Sequence, residues 1–152
     1  MVQVGDNAPQ FSALNHKREN VSLEQFSGKK VVLAFFPAAF TGVCEKELCT
    51  FRDAMAHFND LQANVLGVSV DAPFSNAAFA EKNGLNFDVL SDYSRSMVTA
   101  YGVAHDDFAN MAGYTAAKRS VFVIDGAGKV TYAWVADNPG QEPNYDEVKA
   151  AV

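Results

Sequence analysis

The segment that decides the fold is Lys30-Val-Val-Leu-Ala-Phe-Phe-Pro37-Ala-Ala-Phe-Thr41-Gly-Val-Cys44, because it joins an apolar strand to the start of a helix. Residues 30–36 form an almost unbroken apolar run, which predicts a central strand that is covered on both faces. From Cys44 onward, apolar residues recur every three or four positions. This spacing predicts a helix with one buried stripe, formed by Cys44, Leu48, Phe51, Met55 and Phe58.

Strand and helix patterns alternate along the rest of the chain. They predict a strand at 64–71, a helix at 74–83 that ends at Gly84, a short strand around 89–90, a helix near 94–101, a hairpin of 120–125 and 129–135, and a terminal helix at 145–152. This order predicts a single α/β domain over residues 1–152, in which a central mixed sheet is flanked by helices on both faces.

Composition and charge exclude several classes of function. The 152 residues are 49% hydrophobic, which is enough for one domain with a substantial core. A net charge of −6 argues against binding to nucleic acid or to anionic lipid. The longest apolar stretch, 31–40, is interrupted by Pro37, so we expect no membrane span. The first residues do not resemble a secretory signal, and we expect a cytoplasmic location.

Cys44 is the candidate nucleophile. Thr41 is a suitable N-cap whose hydroxyl could accept a hydrogen bond from the first helical turn, and Cys44 would then occupy the third helical position. Unpaired backbone N–H groups and the positive end of the helix dipole favour a thiolate there. Pro37 lacks a donor and could shield the site from water. The alternative is that Cys44 is only a small buried apolar residue.

Cys49 is the second cysteine, and its spacing argues against a permanent disulfide. In an intact helix the two Cα atoms would lie about 8.6 Å apart, whereas a disulfide requires less than about 7 Å. The pair therefore predicts a cycle in which Cys44 is oxidised to a sulfenic acid, the helix start unwinds, and Cys49 attacks it. The alternative is an inert thiol on the side of the helix.

The motif Pro37-x-x-x-Thr41-x-x-Cys44 resembles the active-site signature of the peroxiredoxins, and the resemblance extends over essentially the whole chain. It implies a thioredoxin-like fold and a thiol peroxidase that reduces hydrogen peroxide and organic hydroperoxides. It also implies that Cys44 is the peroxidatic cysteine and that Arg119 assists it. The context of Cys44 resembles the AhpE-like branch, whereas the Cys-x4-Cys spacing resembles the PrxQ, or bacterioferritin comigratory protein, branch, in which the second cysteine resolves the first. The resemblance favours an AhpE-like protein that uses Cys49 for resolution.

The remaining site residues follow from the chemistry of peroxide reduction. Arg119 and the Thr41 hydroxyl are expected to stabilise the negative charge that develops on the leaving oxygen. Glu47, one turn after Cys44, is expected to orient Arg119 or Arg52. We expect no metal site. His16 is interpreted as a solvated loop residue, His57 as an ordinary helix residue and His105 as a surface residue.

The predicted partners are a peroxide and a thiol reductant. A Cys44–Cys49 disulfide implies thioredoxin or a similar donor, and the resemblance is compatible with a monomer or a homodimer. A one-cysteine cycle would instead need a low-molecular-weight thiol or a glutaredoxin-like protein. No glycine-rich phosphate loop follows a strand, so we expect no flavin or nicotinamide cofactor.

Two other classes of function remain open from the sequence. A thioredoxin-type disulfide exchanger would favour Cys-x-x-Cys spacing, which is absent. A non-enzymatic redox sensor or holdase could use the same cysteines to expose Leu48 and Phe51 on oxidation.

Overall fold

A mixed sheet forms the centre of the computed structural model, which describes residues 1–152. Its strands, together with two that form a separate small pair, are β1 (Ser12–Asn15), β2 (Asn20–Ser22), β3 (Lys30–Phe35), β4 (Ala63–Ser69), β5 (Asp88–Ser91), β6 (Ala104–His105), β7 (Ala116–Ala117), β8 (Ser120–Ile124) and β9 (Val130–Val135). The seven-stranded sheet has the order β2-β1-β5-β4-β3-β8-β9, and β6 pairs with β7. β3 is parallel to β4 and antiparallel to β8, and its last five residues are buried, as predicted for a central strand.

Helices cover both faces of the sheet, which confirms the predicted layers. They are α1 (Gly42–Asp53), α2 (Met55–Asp60), α3 (Pro73–Asn83), α4 (Ser96–Ala100) and α5 (Tyr145–Ala151). α1, α2, α3 and α5 pack on one face, in the same apolar cluster as Val32, Ala34 and Val121. α4 packs on the other face with Val31, Leu33 and the N-terminal segment. None of these helices combines the length and the apolar character needed to cross a membrane.

The strands and helices predicted after β3 are present, but the short strands β6 and β7 between α4 and β8 were not predicted. Gly84 ends α3 in the left-handed region at φ 58°, a conformation that glycine adopts at little cost. The late hairpin of β8 and β9 is also present, and the Asp125 side chain accepts hydrogen bonds from two backbone N–H groups of its turn.

The predicted helix that carries the apolar stripe is interrupted. Ala54 takes φ −91° and ψ 0°, so α1 ends there and α2 begins at the next residue. The five residues of the stripe are nevertheless all buried. The hydrophobic period was therefore correct, but it did not reveal the break, because a local bend at Ala54 leaves the same side buried.

The hairpin of β1 and β2 at the sheet edge is absent from the prediction. These strands have three and four residues, too few for a periodic pattern to emerge. His16 lies in the turn of this hairpin, as expected for a loop residue, but it is half-buried and not solvated. The turn contacts β5, because His16 Nδ1 accepts a hydrogen bond from the Val89 N–H at 3.2 Å.

The sheet brings three chain segments to one edge. β3 and β4 are parallel, so both end there, and the register pairs Phe35 with Val68 and with Ser120, the first residue of β8. The segments after β3, after β4 and before β8 therefore meet at this edge. It is the position at which open α/β sheets usually carry their reactive groups.

Candidate active site

The loop between β3 and α1 holds a strained conformation. Pro37 is buried, and the Ala39 N–H donates to the Asp71 carboxylate, just beyond β4, at 2.9 Å. Phe40 has φ 65°, which an aromatic residue rarely adopts. Its half-exposed ring packs edge-on against Phe79 of α3, with centroids 5.5 Å apart. Contacts at Ala39 and Phe40 thus hold the loop in an unfavourable backbone conformation, which is typical of functional segments.

Thr41 precedes the first residue of α1, as predicted, but its hydroxyl does not cap the helix. The hydroxyl donates to the Ala38 carbonyl at 2.8 Å and accepts no bond from the first turn. The reason is the turn at Phe40, which brings the Ala38 carbonyl next to the hydroxyl. The Thr41 side chain is exposed and faces its own loop, so the expected contact with the reacting sulfur is not formed.

Cys44 occupies the third helical position and is completely buried, at 0% exposure. It belongs to the apolar cluster under α1, together with Leu48 and Phe36. Its thiol is free, and Arg119 Nη2 donates to Cys44 Sγ at 3.1 Å. A cationic donor directed at the sulfur distinguishes this cysteine from an ordinary core residue.

Arg119 is the centre of the site. It lies one residue before β8, is 2% exposed, and donates to three acceptors: Cys44 Sγ, Glu47 Oε1 at 2.9 Å and the Pro139 carbonyl, reached by Nε at 3.1 Å and Nη2 at 2.9 Å. Burial alone would lower the pKa of Arg119, but the charges of Glu47 and Cys44 outweigh it and raise that pKa. Its fork of fixed donors suits it to hold a thiolate and an oxygen together.

Glu47 contacts Arg119 and not Arg52, the other partner that the sequence allowed. Its side chain is completely buried, and Oε2 has no hydrogen-bond partner. Burial raises the pKa of Glu47 to about 7, because the cost of desolvating the carboxylate exceeds the stabilisation by Arg119. Arg52 instead binds Asp53 and the Asn83 carbonyl.

Cys49 lies on the same helix but in a different environment. It is half-buried and free, and its thiol donates to Asn83 Oδ1 at the end of α3, with 3.6 Å between sulfur and oxygen. Both cysteines belong to one uninterrupted helix, so they are separated as the sequence predicted. The structure therefore brings Pro37, Cys44, Glu47 and Arg119 together, and leaves Thr41 and Cys49 directed elsewhere.

Two groups in the site were missed by the sequence analysis. The Asp71 side chain holds the loop at Ala39, and its position directly after a parallel strand could have indicated this. The Pro139 carbonyl holds Arg119 from the loop after β9, and a backbone acceptor in a loop gives no side-chain signal.

A cavity of about 440 Å³ opens beside the buried site. Pro37, Arg119, His105, Lys118 and residues 135–139 line it. Nowhere in the structure do three His, Cys, Asp or Glu side chains group so as to hold a metal ion.

Comparisons with known proteins agree with this geometry. The family model described as AhpC/TSA matches residues 4–133. A Mycobacterium tuberculosis protein named as a peroxiredoxin is 40% identical over 85% of this chain and 82% of its own length. A thiol peroxidase from Streptococcus parasanguinis is 37% identical over 99% of this chain and 88% of its own.

Solved structures show the same fold. The peroxidoxin BcpB of Mycobacterium tuberculosis superposes with a TM-score of 0.89 at 29% identity, over 99% of this chain and 96% of the other. Peroxiredoxins share the thioredoxin-like fold, so the fold expected from the resemblance is confirmed. The curated relatives also include proteins named PrxQ and bacterioferritin comigratory protein, which supports the PrxQ side of that resemblance. The chain belongs to the AhpC/TSA family and is a PrxQ-like peroxiredoxin, a thiol peroxidase.

Proposed function

We propose that Cys44 is the residue that attacks the peroxide, and that hydrogen peroxide and organic hydroperoxides are the substrates. The observation that carries this proposal is the 3.1 Å contact between Arg119 Nη2 and Cys44 Sγ inside a buried site. The thiolate attacks one peroxide oxygen, an S–O bond forms, and the O–O bond breaks. The second oxygen leaves as hydroxide or alkoxide and takes up a proton.

Arg119 and the first turn of α1 would stabilise the leaving oxygen. Arg119 is held by Glu47 and the Pro139 carbonyl, so its donors are fixed before the substrate arrives. The backbone N–H groups of Gly42 and Val43 have no acceptor within the protein. Fixed donors at the point where charge develops are the most effective means of lowering such a barrier.

Access to Cys44 requires a movement of the loop before α1. The sulfur is completely buried, and the positive φ of Phe40 stores strain that a shift of residues 38–41 would release. Such a shift would also free the Thr41 hydroxyl from the Ala38 carbonyl. Thr41 could then donate to the peroxide.

In the second step Cys49 would resolve the oxidised cysteine. Its sulfur attacks the sulfenic sulfur, a disulfide forms, and the hydroxyl leaves as water. The spacing of the two residues requires the first turns of α1 to unwind, and no side chain caps that end of the helix. Thioredoxin, or a similar dithiol protein, would then reduce the disulfide.

Peroxide turnover coupled to thioredoxin, thioredoxin reductase and NADPH tests this cycle. The wild-type protein should turn over many times. Cys49→Ser should reduce one equivalent of peroxide and then stop, and Cys44→Ser should reduce none. If Cys49→Ser turned over as fast as the wild type with thioredoxin, Cys49 would have no resolving role. If a low-molecular-weight thiol, but not thioredoxin, supported turnover of Cys49→Ser at the wild-type rate, the one-cysteine cycle would be correct.

A further inference from the structure

The buried site contains more acidic groups than cationic ones. Cys44 and Glu47 are both 0% exposed, and Arg119, at 2% exposed, is the one cation that contacts them. A thiolate and a carboxylate together would leave one negative charge without a cation in a dry environment. Burial of an uncompensated charge is strongly unfavourable, so a single proton is expected to remain on one of the two acids.

The surroundings of Glu47 reinforce this expectation. Arg119 faces it from before β8, Glu142 from the segment before α5, and Tyr145 from α5, and Arg119 links it to Cys44. Glu142 adds a negative charge, although Lys46 Nζ binds that carboxylate at 3.1 Å. Glu47 Oε2 is buried and receives no hydrogen bond, so nothing satisfies it as a charged oxygen.

We propose that Cys44 and Glu47 share one proton across Arg119, and that Glu47 releases this proton when Cys44 is oxidised. The inference rests on the proposed role of Cys44 as the attacking thiolate. Glu47 does not touch the peroxide, so it is a positioning and charge-balancing residue. Its raised pKa is consistent with a protonated carboxyl in the reduced protein.

Atoms, protons and charges balance in this step. Before the reaction the site holds a thiolate, a neutral carboxyl and the Arg119 cation. The thiolate takes an OH group from the peroxide and becomes a neutral sulfenic acid, and the leaving alkoxide or hydroxide gains a proton. Glu47 releases one proton, which offsets the one that the leaving oxygen gains, and becomes the carboxylate that pairs with Arg119. The buried site is therefore neutral before and after peroxide reduction, and no net proton is drawn from solvent.

Proton uptake during a single turnover tests the proposal. Reduced protein is mixed with one equivalent of hydrogen peroxide at neutral pH in weak buffer with a pH-indicator dye. The ultraviolet absorbance of the thiolate and the mass of the Cys44 peptide are followed in the same samples. Wild-type protein should lose its thiolate with almost no proton uptake, and Glu47→Gln should take up about one proton per Cys44 oxidised. Glu142→Gln, a matched control, should behave as the wild type.

Equal proton uptake by wild type and Glu47→Gln would overturn the inference, as would an absence of thiolate in the reduced wild type at neutral pH. Failure of Cys44 to gain oxygen or form a disulfide would instead contradict its proposed role, which the mass reports separately. Should Glu47→Gln not fold, infrared difference spectra of the wild type give the answer. Oxidation should remove the carbonyl band of a protonated carboxyl, and a spectrum without that change would contradict the proposal.

Discussion

Cys44 and Cys49 lie on one helix, five residues apart, yet they occupy opposite environments. Cys44 is completely buried and bound by the cationic Arg119, which Glu47 and the Pro139 carbonyl hold in place. Cys49 is half-buried and bound by the neutral Asn83 amide at the end of α3. A helix rotates its residues by about 100° each, so five positions are enough to move a thiol from one neighbouring element to another.

This difference separates the two tasks that the proposed cycle requires. The sulfur that attacks the peroxide needs charge stabilisation and exclusion of water, and the environment of Cys44 supplies both. The sulfur that resolves Cys44 must remain available until α1 unwinds. Cys49 makes a single weak hydrogen bond to the Asn83 amide, and breaking that bond requires little free energy. One amphipathic helix thus presents to the sheet a buried sulfur that a cation binds, and to α3 a half-buried sulfur that an amide binds.

Removal of Arg119 should have the largest effect on this asymmetry. Arg119→Gln deletes the charged donor at Cys44, so the second-order rate of Cys44 oxidation by hydrogen peroxide should fall by about 10²- to 10³-fold. Stopped-flow fluorescence of Trp134, the single tryptophan, provides the measurement. Lys118→Gln, an exposed neighbour with the same change of charge, is the matched control and should be close to the wild type. Comparable rates for the two variants would show that Arg119 does not distinguish Cys44.

Glu47 should make stability depend on pH. Its pKa in the folded protein is raised from 4.5 to about 7, so the folded state binds the proton more tightly than the unfolded state. This contribution to stability is complete below pH 4.5 and is lost as the pH rises through 7. Between these limits the free energy of unfolding of the wild type should fall relative to Glu47→Gln by up to about 3 kcal/mol, since one pKa unit corresponds to about 1.4 kcal/mol.

Urea unfolding across this pH range measures the difference. Glu142→Gln is the control. Burial raises the pKa of the partly exposed Glu142, but hydrogen bonds from Tyr145 and Lys46 outweigh it and lower that pKa, so Glu142 does not titrate between pH 4.5 and 7. If the free energy of unfolding changed with pH in the same way for wild type and Glu47→Gln, Glu47 would not titrate in this range.

Asn83 should produce the smallest effect, and only at Cys49. Asn83→Ala removes the acceptor of the Cys49 thiol, and the loss of a weak hydrogen bond should accelerate alkylation of Cys49 by about threefold. Alkylation of Cys44 should not change. Asn86→Ala, which removes a nearby amide that binds the Arg52 carbonyl, is the control. Peptide mass spectrometry reports both cysteines together, and faster alkylation of Cys44 would indicate that Asn83 supports the whole helix.

The sequence predicted the parts of the fold and site that depend on periodicity and on local spacing. The apolar run of β3, the buried stripe of α1 and the position of Cys44 in the first turn all follow from residues close together in the chain. Arg119 came from the family resemblance, and its distance to Cys44 depends on the pairing of Phe35 with Ser120 across two strands.

The features that were missed arise from backbone geometry and tertiary contacts. The Thr41 hydroxyl does not cap α1 but donates to the Ala38 carbonyl, because Phe40 takes a positive φ. No pattern of residues predicts that conformation. The bend at Ala54 leaves the hydrophobic stripe unchanged. The full burial of Glu47 was also unexpected, because it ends the charged run Glu45-Lys46-Glu47, and such a run is usually a solvated helix face.

The oxidation state of each cysteine after one equivalent of hydrogen peroxide tests the central claim most directly. Free thiols are alkylated before and after the reaction, and peptides are identified by mass spectrometry. The different environments of Cys44 and Cys49 predict a loss of about two mass units and a cross-linked Cys44–Cys49 peptide. A gain of one oxygen at Cys44 with Cys49 still alkylated would contradict the resolving role of Cys49, and no change at either cysteine would contradict the role of Cys44 itself.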